Sequence, residues 1–139
     1  MMLESAVQIT KFIEKHHEFA ECVLVEVRWQ NYGTVLDLLF DYIWADDGTV
    51  RPDYLPPVLK TLRFHVVQEF HLANGLTVHT SLRPGALNWG LSEVAAVRLL
   101  DDETLLDPYG HLPVSLHHVR CVWEGERRID LIFSSLEVL

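Results

Sequence analysis

The chain lacks any apolar run approaching the ~20 residues that a helix needs to cross a bilayer, although 49% of its residues are apolar. A membrane-spanning helix is therefore not expected. The opening MMLESAVQITKF has no basic start followed by an apolar core, so it does not read as a secretory signal. Cysteine is scarce. Cys22 and Cys121 lie far apart and match no metal or redox spacing. Two packed thiols in a reduced, cytoplasmic protein are the expectation. Positive charge is also in short supply: 11 Lys and Arg against 20 Asp and Glu leave a net charge of −9. Such a surface repels nucleic acid and anionic membranes and attracts a basic partner. No G-x-S-x-G elbow, phosphate loop, glycine-rich dinucleotide turn or H-E-x-x-H is present. No cofactor is implied, and catalysis has no motif to support it. The 139 residues fit a single domain, 1–139, long enough to bury a core without staples.

What the chain does contain is alternation. From Lys60 to Leu82, Leu62, Phe64, Val66, Phe70 and Leu72 fall on one side. Thr61, Arg63, His65, Glu69 and His71 fall on the other, with Val67 as the exception. Successive side chains leave a strand on opposite faces, so this is the signature of a half-buried antiparallel strand. Ala73-Asn74-Gly75 suits a three-residue hairpin loop with Gly75 in the left-handed position. That register sets Leu72 against Leu76 and Phe70 against Val78.

Around this hairpin the rest of the chain repeats the theme. Leu3 to about His16 reads as a short amphipathic helix with Ser5 and Gln8 as a capping box, though Val7 to Ile13 also fits an extended segment. Cys22 to Trp44 forms a hairpin turning at Tyr32-Gly33. It pairs Val27 with Leu38, Val25 with Phe40, and Arg28 with Asp37. Residues 92–100 are apolar on both sides, a strand or a short buried helix, with Val94 and Val97 favouring the strand. His117 to Leu139 makes a third hairpin. Its Gly125-Glu126-Arg127 loop sets Trp123 against Ile129 and Cys121 against Leu131. Short turns demand antiparallel pairing. The expected fold is a β-rich α+β domain: a curved, meander-like antiparallel sheet, or two packed sheets, with a short N-terminal helix.

Two groups of residues could carry a function. On the polar face of the central hairpin, the register brings His65, Glu69, His71 and His79 together. These are ligand types for zinc or another divalent ion, and equally a proton-transfer set for a small-ligand enzyme. Cross-strand neighbours point in parallel and do not by themselves converge on a metal, so a solvated face is the simpler reading. His16-His17 and His117-His118, read as strand neighbours, face opposite ways and cannot chelate as pairs. The second group is Trp89, in a loop beside glycine, with the acidic loop residues Asp46, Asp47, Asp101, Asp102 and Glu103. An aromatic anchor and an acidic rim gathered at one end of the sheet would suit a basic protein partner. Trp29, Trp44 and Trp123 continue apolar faces and read as core. Self-pairing of sheet edges into a homo-oligomer is a further possibility.

Three segments, EFAECVLVEVRW, LKTLRFHVVQEFHLANGL and RRIDLIFSSLEVL, together resemble a set of small bacterial proteins. That set is largely of unknown function and includes immunity proteins encoded beside polymorphic toxins. The match covers about a third of the chain, through alternating apolar positions, and an asparagine-rich segment expected after the central strand is reduced here to Asn74. The resemblance implies a non-enzymatic, toxin-neutralising protein, and it assigns no functional residue.

Overall fold

Buried alternating residues become strands here, and they sort into two antiparallel sheets. The structure, a computed structural model, describes residues 1–73, 93–102, 104–123 and 127–139. One five-stranded sheet runs in the order β1-β9-β4-β3-β2. Its strands are β1 (Met2–Leu3), β2 (Val23–Gln30), β3 (Val35–Asp41), β4 (Leu59–His65) and β9 (Ser135–Val138). The other, in the order β5-β8-β7-β6, uses β5 (Glu69–Ala73), β6 (Val94–Leu99), β7 (His117–Trp123) and β8 (Arg128–Phe133). The fold is β-rich α+β, as the pattern of the sequence implies, and residues 94–99 are a strand.

The central alternation does not form one strand. β4 belongs to the first sheet and β5 to the second, and the chain turns between them at 66–68. Alongside, β8 passes into β9 through Ser134, so two neighbouring ribbons make the same corner together. His65 pairs with Ser135 and Glu69 with Ile132. Three residues on one ribbon therefore face two on the other, a bulge of the kind that bends sheets at their rims. Val66 takes φ 54 at the bend and is 49% exposed, while Val67 packs inward in its place. Phe64 and Phe133 meet edge to face across the corner, 4.8 Å apart and fully buried. Ala73, expected in the hairpin loop, is the last residue of β5 and pairs with Arg128, whereas Asn74, Gly75, the strand beyond them and the expected partners Leu76 and Val78 lie outside the described residues.

The second hairpin follows its expected register where two signals coincide: Val27 faces Leu38 and Arg28 faces Asp37. A bulge at Val25 then slips the pairing by one, so Leu24 rather than Val25 meets Phe40. The slip buries Leu24 fully and turns Val25 to the surface. In the third hairpin the ladder is offset by two residues, with Cys121 opposite Ile129 and Val119 opposite Leu131. An offset of two leaves every side chain on its face, which is why the apolar pattern fits both registers.

Both sheets and the helix share one core. Helix α1 (Ala6–Lys15) opens with the Ser5/Gln8 capping box: the Ser5 hydroxyl accepts from the Gln8 N–H at 3.1 Å, and the Gln8 side chain accepts from the Ser5 N–H. It buries Ile9, Phe12 and Ile13. Phe19, Phe40, Leu62, Trp123 and Leu131 lie in the same cluster. At the open seam a Val23–Glu93 bridge, with Val94 N–H donating to Cys22 C=O, ties the edge of one sheet to the other. No helix among the described residues is long and apolar enough to cross a membrane.

Candidate functional site

The outer faces of both sheets carry ion pairs set by strand register. On the first sheet Asp37, 3% exposed, receives Arg63 through Nε at 2.8 Å and Nη2 at 3.0 Å, and the Gln30 amide at 2.6 Å. Arg63, and not the facing Arg28, neutralises it; Arg28 binds Glu26 instead. His65, at the end of β4, is 2.8 Å from Glu137 of β9.

On the second sheet His71 and Glu69 are joined at 2.8 Å, and the Tyr109 hydroxyl donates to Glu69 at 2.6 Å. The phenol is pushed up to about 12 because its proton is held by the carboxylate, and Glu69 is lowered by the bonds from Tyr109 and His71. One strand inward, His118 Nε2 contacts Asp130 at 2.6 Å, and Arg120 Nε donates to the same oxygen at 2.7 Å. Burial opposes ionisation of Asp130, but His118 and Arg120 outweigh it and hold the carboxyl below its usual range.

The residues singled out in the sequence thus divide. Glu69 and His71 do come together, on the second sheet. His65 lies on the first sheet with a different carboxylate, and His79 is outside the described residues. Among the described residues, no three His, Cys, Asp or Glu side chains are grouped to hold a metal ion. Trp89 and Glu103 are likewise outside the described residues. Asp101 accepts from His117 Nδ1 at 2.7 Å and from the His118 backbone N–H at 2.8 Å, and Asp102 is exposed. Asp47 closes its own turn by accepting from Thr49, which lowers its pKa. Asp101 adjoins the start of α1, since His117 also reaches Glu4 C=O at 2.8 Å. Asp46 lines a hollow beside the helix's last turn. The two acidic loops therefore sit at opposite ends of a helix roughly 15 Å long, and do not form one rim.

Cys22 is pushed up to about 11 by burial, and Cys121 is raised further for the same reason; both thiols are buried. Trp123 is core, as expected. Trp29 is half-exposed and meets Phe70 edge to face at 5.4 Å. Trp44 donates its indole N–H to Ala20 C=O at 2.8 Å.

One concavity among the described residues has no counterpart in the sequence reading. It is a hollow of about 530 Å³ at the C-terminal end of α1, between the end of β3 and the 42–58 connection. Lys15, His16 and His17 come from the helix end, Arg51 from the connection and Lys60 from β4. Tyr42, Trp44, Leu55 and Val58 supply apolar wall, and Asp46 is the one carboxylate in the lining among the described residues. His16 and His17 line it together because the chain leaves the helix in left-handed steps, with φ 57 at His17 and 55 at Glu18. They are not strand neighbours facing apart. His17 stacks on Trp44 at 4.4 Å, and Lys60 lies 4.9 Å above the Tyr42 ring. The signal in the sequence was the Lys15-His16-His17 run, a cationic end to an amphipathic helix.

The connection that walls the hollow is pinned. Arg51 N–H donates to Ile43 C=O at 2.7 Å, Tyr42 N–H to Val58 C=O at 2.8 Å, and the Arg51 guanidinium to Pro56 C=O at 2.6 Å. It nevertheless presents Val50, Tyr54, Leu55 and Val58 to solvent, with Tyr54 86% exposed, and Leu59 at the start of β4 is exposed beside them.

No family model matches the chain, and no curated protein does. Among solved structures it is similar to the crystal structure of an uncharacterized protein from Neisseria gonorrhoeae. The TM-score is 0.53 and the identity 11%, over 86% of this chain and 91% of that one. At that identity, the two proteins are alike in fold.

Proposed function

We propose that this chain is a non-enzymatic protein-binding module of the cytoplasm, acting as an immunity protein that neutralises a basic toxin by occupying its surface. The observation that carries the reading is the 42–58 connection together with Leu59, the first residue of β4. A proline-bearing loop fixed by backbone and guanidinium bonds holds four large apolar side chains in water, and Leu59 at the start of β4 adds a fifth. Exposed apolar groups on a pinned segment lose little entropy when a partner covers them, and this is what a recognition surface needs. Asp46, Asp47 and Asp53, all exposed, are interspersed with them. With a net charge of −9, the chain would draw a cationic partner in, and the apolar side chains would then hold it.

The test is to mix the protein with the product of a toxin gene encoded beside it. The expected outcome is a 1:1 complex and loss of toxicity, with Tyr54→Ser/Leu59→Ser weakening binding by about 2 kcal/mol or more. A neighbouring toxin that is neither bound nor inhibited would end this reading.

A further inference from the structure

We propose that the hollow at the end of α1 is a binding site for a small organic anion, a carboxylate or phosphate monoester carried on a flat apolar body. Among the described residues, three full positive charges (Lys15, Arg51 and Lys60) and two imidazoles line it, against the single carboxylate of Asp46. In a chain with nearly twice as many acidic as basic residues, that is a local reversal of sign. Elsewhere Arg28, Arg63, Arg98, Arg120 and Arg128 are each paired with a carboxylate. Around the hollow, Lys60 faces a ring and Arg51 a carbonyl. Among the described residues neither forms an ion pair with a carboxylate, although Arg51 also borders a hollow with Asp41 and Asp53, and both cations line a concavity walled by Tyr42, Leu55 and Val58.

The size of the hollow favours a small molecule. At about 530 Å³ it falls inside the ~300–1,000 Å³ range of small-ligand pockets. Its floor is preorganised. His16 Nδ1 donates to Phe12 C=O at 2.9 Å, and the ring lies 5.5 Å from Tyr42. The neutral ring then has no second N–H for an anion. Burial first, and then Lys60, Lys15 and His17, hold His16 below its usual pKa, while the Phe12 carbonyl pulls the other way. A bound anion would cancel the repulsion among these cations and favour the imidazolium, whose second N–H could then be donated.

The test is titration of the full chain with phenyl phosphate, followed through the His16 ring signals and the Trp44 indole. Saturable shifts at both residues and an upward move of the His16 titration midpoint are expected, with no response to phenol. Lys15→Gln, at an exposed position in the helix's last turn, should weaken binding about tenfold, the scale of one charge-assisted hydrogen bond. Equal binding of phenol, an unmoved His16 midpoint, or undiminished affinity in Lys15→Gln would each overturn the proposal. So would a blocked Phe-Glu dipeptide that displaced phenyl phosphate at lower concentration, since the hollow would then belong to an acidic protein segment. Tyr54→Ser/Leu59→Ser should leave phenyl phosphate binding intact, so this outcome and toxin binding can fail separately.

Discussion

His117 should make the protein more stable in mild acid than in mild base. The ring is 5% exposed, and both its nitrogens face acceptors: Asp101 Oδ2 at 2.7 Å and Glu4 C=O at 2.8 Å. A neutral imidazole can donate through only one nitrogen, so only the imidazolium satisfies both acceptors. The Asp101 bond raises the His117 pKa above the ordinary 6.5; burial works against it, and the Glu4 carbonyl adds to the rise. Because the folded value lies above the unfolded one, the contribution is fully present below about 6.5 and disappears as pH climbs through the folded value. Losing one charge-assisted bond in a buried setting costs about 1.5–3 kcal/mol. For a domain of this size that is roughly 5–10 °C in Tm. The assay is thermal unfolding by circular dichroism at pH 6 and pH 9 for the wild type and for His117→Gln. Glutamine does not titrate, so the gap between the two proteins should be wide at pH 6 and narrower at pH 9. A gap that stays constant, or ring nitrogen shifts showing a neutral His117 at pH 6, would refute the reasoning.

Two further outcomes follow from the corner and the first sheet. Arg63→Ala should cost about 3–5 kcal/mol, because it strands the buried Asp37 carboxylate, whereas the double change Arg63→Met/Asp37→Leu should recover most of that; urea midpoints for the two variants would decide. Val66→Gly should stabilise the protein by up to about 1 kcal/mol, since a β-branched residue at φ 54 is strained and its side chain is half in water; a lower urea midpoint would contradict this.

Much of the fold was legible where two constraints coincided. Arg28–Asp37 and Val27–Leu38 fixed one register by charge and by burial at once. The Ser5/Gln8 box located the helix start. The corner was hidden because Phe64 and Phe70 keep the same phase on either side of it, so a strand that changes sheets looks the same in sequence as one that does not. The third hairpin was misread by two residues, a shift that alternation cannot detect. The hollow was illegible for another reason. Its cations come from positions 15, 51 and 60, and only the left-handed exit from α1 brings His16 and His17 to the same side. The grouping of His65 with Glu69 failed because the bend separates their sheets.

The paired corner also bears on the order in which the chain can fold. The 128–138 ribbon supplies hydrogen-bond partners to β4 in one sheet and to β5 in the other, more than fifty residues upstream. A chain emerging from the ribosome could form β2–β3–β4 early, but β4 must wait for β9 to gain its second neighbour, and β5 must wait for β8, its one neighbour among the described strands. Closing so long a loop is slow. Until it happens, β4 stands as an open edge that needs shelter from other chains.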